Sequence, residues 1–163
     1  MKSVNWSRVL VYGLLPSLVL LLAIAAGLLK WKDSSVRALD LARRESVSAA
    51  KQSTSAILTF RYNTIDHDVT DTQQRLTGGF LDTYKKRTQD DLVPRTKQQQ
   101  IVATATAPAA AAETVTPDHA VVLVFVSQSF KSADTAPTVI GSSARVTLEK
   151  IGARWLISDF DHY

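Results

Sequence analysis

The side chains able to do chemistry in this sequence are few and unevenly placed. Asp66-His67-Asp68 is the one concentrated set of titratable groups. An isomerase- or hydrolase-like centre would aim one of those carboxylates, or the imidazole, into a pocket ringed by polar donors. Three consecutive residues cannot all face one cavity, so the run reads instead as helix caps and wetted turn positions. Asp159, Asp161 and His162 crowd the C-terminus, but alternate strand residues without a fourth ligand make a poor cation site, and no metal is expected. Cysteine is absent, which removes thiolate nucleophiles, Cys-ligated zinc and disulfides. No glycine-rich phosphate loop, G-x-S-x-G elbow or His-Glu-x-x-His pattern occurs. The expectation is a chain that is not an enzyme and carries no cofactor.

Two further groups of residues invite binding rather than catalysis. Tyr84, Phe125, Trp155 and Phe160 read first as core; in a domain with an open cavity they would line an apolar, lipid-binding pocket. Lys85-Lys86-Arg87 reads as the wet face of its helix. The formal net charge of +4 belongs mainly to Lys2, Arg8, Lys30 and Lys32. The remainder is close to neutral and offers nucleic acid no basic stripe.

Those four cations flank the segment Val9–Leu29, 21 residues without a charge. As a helix it would be roughly 31 Å long, about the hydrocarbon thickness of a bilayer. Trp6 and Trp31 stand just outside it, as interfacial tryptophans do. Residues 1–8 are then a short tail and 9–29 a transmembrane helix. A cleaved signal peptide is the rival, with Ala23-Ile24-Ala25 as its cleavage site, but the apolar run continues to Leu29. Gly13 with Ser17, and Ala23 with Gly27, are small residues four apart that let a partner helix approach closely. Counting flanking charges does not settle which side the remaining chain occupies.

Residues 30–62 read as a stalk helix entering the domain, capped by Ser34 and Ser35 and helical from Val36 to about Tyr62. Its first half, with Arg37, Arg43 and Arg44, is solvated or partner-facing. Its second half docks through Ala50, Thr54, Ile57, Leu58 and Phe60. Residues 63–163 complete the domain. Ile65 and Val69 anchor a polar turn region, a short helix starts near Thr70, and another runs from Gly78-Gly79 until Pro94 stops it. Gln99–Thr106 alternates as a half-buried strand, and Ala109–Ala112 forms a loose connection. Ala120–Val126 is a Val-rich central strand buried on both faces, and Ser129–Thr138 is a polar loop. Two strands through Ala144–Glu149 and Trp155–Ile157 meet at a tight Ile151-Gly152-Ala153 turn. Helices followed by strands argue for α+β, with a curved antiparallel four-stranded sheet packed on the helices.

In order and motif the chain resembles the Mce-associated membrane proteins of mycobacteria and related actinobacteria. The resemblance rests on the single span and the Ala/Arg-rich helix, then on Leu58-Thr59-Phe60-Arg61-Tyr62, Asp66-His67-Asp68 and Leu76-Thr77-Gly78-Gly79-Phe80. It continues through Arg145-Val146-Thr147-Leu148 to Gly152-Ala153-Arg154-Trp155-Leu156-Ile157 and so covers nearly the whole chain. It departs at Ala109–Ala112, which lengthens a hairpin, and before Gly152, where an acidic residue is missing.

The resemblance implies a nuclear-transport-factor-like cone, similar to domains of type IV secretion assembly factors, on the periplasmic side of the inner membrane. The N-terminus would be cytoplasmic. It also implies a role as an accessory subunit of an importer of lipids such as fatty acids or sterols. The expected partners are YrbE-type permeases, Mce tunnel proteins and membrane lipids. Gly13, Ser17, Ala23 and Gly27 in the membrane and Arg37, Arg43 and Arg44 on the stalk are the candidate contacts. The alternative expectation is a membrane-tethered lipid-binding domain that hands lipid to the transporter.

Overall fold

The computed structural model describes the backbone of residues 15–133 and 135–163, and side chains from residue 36 onward. The chain divides into two units, Met1–Ala38 and Leu39–Tyr163, and the packed core belongs to the second. Of the expected span, residues 9–14 lie outside the described residues, and the rest falls where only backbone is described. Among the described residues no helix is long and apolar enough to cross a membrane.

Helix α1, Leu15–Leu58, is followed by a two-residue strand β1, Phe60–Arg61. The stalk therefore ends four residues earlier than Tyr62, and Phe60 and Arg61 pair with Ala103 and Val102 instead of extending the helix. Ser34 and Ser35 lie inside α1 and do not cap it. Docking also begins earlier than the apolar pattern suggested. Ala42, Ser46, Ala50, Ser53 and Thr54 are all buried, one helical face at spacings of three and four. Their small size lets the helix lie close to the sheet, and the hydroxyls among them hide that face from a hydropathy reading.

Helix α2, Ile65–Gln73, is anchored by buried Ile65 and Val69 and starts five residues before Thr70. Helix α3, Gly78–Arg87, runs on through a π-helical turn, Thr88–Leu92, into helix α4, Val93–Gln98. Pro94 therefore does not stop the helical run. In the π turn the Val93 N–H reaches back five residues to the Thr88 carbonyl. That shift resets the ladder, so Pro94 falls in a first turn, where its missing N–H is not needed.

The sheet is an antiparallel meander in the order β1-β2-β3-β4-β5, with β2 Val102–Val115, β3 His119–Ser132, β4 Thr135–Ile151 and β5 Arg154–His162. Ala109–Ala112 is not a loose connection but part of β2. A register shift between Thr106 and Ala109 takes up Pro108, and the alanines pair with Val122–Phe125. Likewise most of the expected loop at Ser129–Thr138 is strand, with β3 ending at Ser132 and β4 beginning at Thr135. Gly152 turns the β4–β5 hairpin at φ +63°, a conformation suited to glycine.

β3 is central, as its composition suggested, but it is not buried on both faces. Ala120, Val122, Val124 and Val126 point into the core, whereas Val121 and Leu123 are half-buried and Phe125 is 48% exposed on the opposite face. The core lies on the inner face alone, where those four residues meet Ala144, Val146, Leu148, Trp155 and Ile157 beside Ala42 and Ala50 of α1.

Candidate functional site

The acidic cluster fans out rather than converging. Asp66 pairs with Lys97 at 2.7 Å, and His67 pairs with Asp71 at 3.1 Å. Asp68 accepts hydrogen bonds from the Arg61 N–H at 3.1 Å and the Thr64 hydroxyl at 2.8 Å, which fixes the turn into α2. Each group serves local structure. At the C-terminus, His162 Nε2 lies 3.0 Å from the Ser142 hydroxyl, and Asp159 and Asp161 are exposed. Among the described residues, no three His, Asp or Glu side chains gather into a group able to hold a metal.

What the fold does assemble is a cavity of about 700 Å³ between the helical run α3–π–α4, the end of α1 and one end of the sheet's inner face. That volume falls in the range of about 300–1,000 Å³ common for small-molecule pockets. Ile57, Leu58 and Phe60 enter from α1 and β1, Phe80, Tyr84 and Leu92 from the helical run, and Ile101, Phe130 and Phe160 from the sheet end. Phe80 stacks on Phe160 with centroids 6.1 Å apart and an interplanar angle of 23°, and meets Tyr84 at 6.4 Å. Burial pushes the Tyr84 phenol above its ordinary value, against the smaller opposing effect of the Thr72 and Thr88 hydroxyls.

Polar groups line the helical side of this cavity, and Asp161 and His162 line it from the end of β5, with His162 stacked on Phe160 at 6.4 Å between centroids. Thr88 and Thr96 are buried, whereas Arg87, Asp91 and Arg95 are exposed. Asp91 is held by Arg95 at 3.5 Å, leaving Arg87 without an ion pair among the described residues. The Thr88 hydroxyl donates to the Tyr84 carbonyl at 2.6 Å, but the buried Thr96 hydroxyl has no partner among the described residues.

Of the four aromatics expected to form a pocket, Tyr84 and Phe160 line this cavity. Phe125 is on the other face of the sheet. Trp155 lies elsewhere, its indole N–H donating to Glu45 at 3.2 Å while Lys150 reaches the same carboxylate oxygen at 2.8 Å. Glu45 thereby ties α1 to the β4–β5 hairpin, a link that single-sequence pattern did not suggest. Extending the Tyr84–Thr88–Leu92 spacing by four residues would have reached Thr96, had Pro94 not been taken as a stop.

Arg43 and Arg44 are exposed on α1, as is Arg37 in the first unit. Gly13 lies outside the described residues, and Ser17, Ala23 and Gly27 fall where only backbone is described.

Residues 10–159 match the family described as uncharacterized protein Rv1363c/MT1408-like. The chain belongs to that family. One relative, "Outer membrane protein Rv1973" of Mycobacterium tuberculosis (strain ATCC 25618 / H37Rv), is 50% identical over 157 residues, 96% of this chain and 98% of the relative. "Uncharacterized protein Rv1362c" of the same strain is 41% identical over 120 residues, 73% of this chain and 54% of that protein.

Among solved structures, an IcmL-like type IV secretion system protein of Legionella pneumophila matches with a TM-score of 0.63 at 12% identity, covering 74% of this chain and 91% of that one. The VirB8 protein of Agrobacterium tumefaciens matches with a TM-score of 0.58 at 10% identity, over 71% and 88%. Identities this low speak for the fold alone. They establish for this family member an α+β domain with an antiparallel sheet of the type found in secretion-system periplasmic domains.

Proposed function

We propose that this chain is a non-enzymatic accessory subunit of a Mce-type lipid importer. It is anchored by Val9–Leu29 in the inner membrane with its C-terminal domain in the periplasm. The observation that carries this reading is the spent state of the acidic cluster. Asp66, His67 and Asp68 are each engaged in a local pair or cap, which supports a chain that works through its surfaces. A relative named as an outer membrane protein supports an envelope location, and a charge-free run of 21 residues supports a helical anchor. YrbE-type permeases and Mce tunnel proteins are the partners of this reading, reached through Gly13, Ser17, Ala23 and Gly27 in the membrane and Arg37, Arg43 and Arg44 on α1.

Gentle-detergent purification from the native membrane tests it. Permease subunits should accompany the wild-type chain, and replacing Gly13 and Gly27 together by leucine should reduce their recovery several-fold. Unchanged recovery would sink the packing role. Asp66→Asn with His67→Gln should leave lipid uptake intact, and a loss at normal protein level would reinstate an enzymatic reading.

The cavity favours a second reading, a tethered lipid-binding domain that hands cargo to the transporter. The two readings part on whether the domain itself retains lipid and passes it on.

A further inference from the structure

Every strand at the edge of a sheet has spare N–H and C=O groups, and this sheet leaves one stretch of them open. β5 lies along β4 from Ala144 to Ile151. One step further, the Ser143 N–H donates to the Tyr163 carbonyl at 3.2 Å and the Tyr163 N–H to the Ser143 carbonyl at 2.8 Å. β4 itself begins at Thr135. Residues 138–142 therefore pair with β3 on one side, and no described strand pairs with them on the other. Backbone groups of an antiparallel strand alternate in direction. Since those of Ser143 face β5, those of Gly141 and Val139 face the same way, out of the sheet.

The side chains along this edge do nothing to discourage another strand. Residues 135–144 carry no charge. Val139 and Ile140 are 68% and 50% exposed, and both are β-branched, a type that packs well on a pleated surface. The β2 edge at the other side of the sheet is guarded. Register shifts at Thr106/Ala109 and Ala112/Thr114 interrupt it, and the Lys51 ammonium sits on the Pro108 carbonyl at 3.2 Å. Bulges, proline and lysine are the devices that keep an edge from pairing. On β4 only Pro137 is of that kind, and it bounds the open stretch without entering it.

The spare groups are also self-complementary. Two copies of β4, run antiparallel about a two-fold axis at Ile140, set Val139 opposite the second copy's Gly141 and Gly141 opposite its Val139. Each such pair exchanges both its hydrogen bonds, and Ile140 meets the second copy's Ile140 in the closer, non-hydrogen-bonded pairing between them. Val139 then lies across from a glycine whose absent Cβ would meet nothing within 4 Å. The pairing ends where the second copy's Pro137 comes level with Ser143, whose backbone Tyr163 already holds.

We infer that the open edge of β4 binds a second copy of this chain, joining two five-stranded sheets into one continuous sheet across a two-fold axis. The contact consumes both open stretches, and the guarded β2 edges stop further growth. The inference goes beyond the accessory role proposed above and is independent of what the cavity holds.

Cysteine cross-linking of the full chain, in the membranes of the cells that express it, tests this. The sequence has no cysteine, so within a dimer one introduced thiol meets only its own counterpart. Ile140→Cys should give a disulfide-linked dimer under mild oxidation, because the two Cα atoms would stand about 4.5 Å apart, within disulfide reach. Phe125→Cys, comparably exposed on the open face of β3, should give several-fold less. Adding Val139→Pro to Ile140→Cys removes an outward N–H and leaves the pairing with β3 intact. The dimer should then fall to the Phe125→Cys level while the circular dichroism melt stays in place. If that proline lowers the melt, Gly141→Lys replaces it as the breaker, since its side chain finds open space within one copy but brings like charges together across the axis. Equal dimer at Ile140→Cys and Phe125→Cys, or dimer that survives the breaker, would overturn the inference.

Discussion

Thr96→Val is the most discriminating single change in the second unit. The Thr96 side chain is wholly buried at the cavity wall, and its hydroxyl makes no hydrogen bond. A buried hydroxyl without a partner costs about 1–3 kcal/mol in lost hydration. Valine keeps the branched shape and replaces that oxygen with a methyl, so the cost is removed and a little apolar burial is added. Backbone preference barely moves, because Thr and Val have similar helix propensities.

The delipidated protein should therefore gain about 1 kcal/mol, a rise in melting temperature of roughly 3–5 °C for a domain of this size. The control is Thr88→Val, about two turns earlier on the same face, whose hydroxyl donates to the Tyr84 carbonyl at 2.6 Å. That carbonyl also accepts the Thr88 backbone N–H, so it stays satisfied when the hydroxyl goes. The loss should be near 1 kcal/mol. Far-UV circular dichroism melts of the full chain, side by side, should move in opposite directions. If Thr96→Val falls as Thr88→Val does, the Thr96 hydroxyl is already engaged, and the reasoning from an unpaired buried hydroxyl fails.

Other perturbations report on the frame around the site. The Lys150 hydrogen bond, then that of the Trp155 indole, hold the Glu45 carboxyl below its ordinary value of 4.5. A depressed carboxylate stabilises the fold above that value and loses its contribution as pH falls through the folded-state pKa. Wild-type stability should thus drop toward that of Glu45→Gln as acid melts descend below about pH 4.5, with little convergence between pH 5 and 7. Leu148→Ala removes a fully buried side chain and should cost about 3 kcal/mol in a denaturant titration. Phe125→Ala, on the open face, should cost well under 1 kcal/mol. Gly152→Ala meets no atom within 4 Å, yet stands at φ +63°, so its loss of about 1 kcal/mol is backbone strain alone, and Gly152→Asn should recover part of it.

The strands were legible because their inner faces obey one rule. Ala103 and Ala105 alternate with Thr104 and Thr106, and Ala144, Val146 and Leu148 with Arg145 and Thr147. The period of two survives wherever one face is wet. Reading failed where a second constraint acted. Val121, Leu123 and Phe125 made β3 look buried on both sides, because hydropathy cannot tell an uncovered apolar face from a covered one. Ala109–Ala112 and Pro94 look like breaks in the pattern, but a bulge at Pro108 carries β2 through the one and a π turn precedes the other. On α1 the buried face is Ala42, Ser46, Ala50, Ser53 and Thr54, chosen for size rather than greasiness.

The cavity escaped for a different reason, which bears on what such a fold can be asked to do. No single segment of the chain makes it. Ile57 and Phe60 reach it because the chain leaves α1 at Leu58 and crosses to β2 through β1. Phe130 and Ile101 reach it because β2 and β3 are long enough to extend past the core valines. Arg87 and Thr96 share it because the helical run bends through a π turn instead of ending. Each contribution is a consequence of where an element stops, and element ends are what local pattern specifies least. The core positions, by contrast, are set by the middles of strands. A chain built this way can reshape its cavity by moving helix and strand ends while leaving the valine face of β3 untouched. Substitutions that change ligand preference should accordingly fall at Ile57, Arg87, Ile101 and Phe130, and leave Val122, Val124 and Val146 as they are.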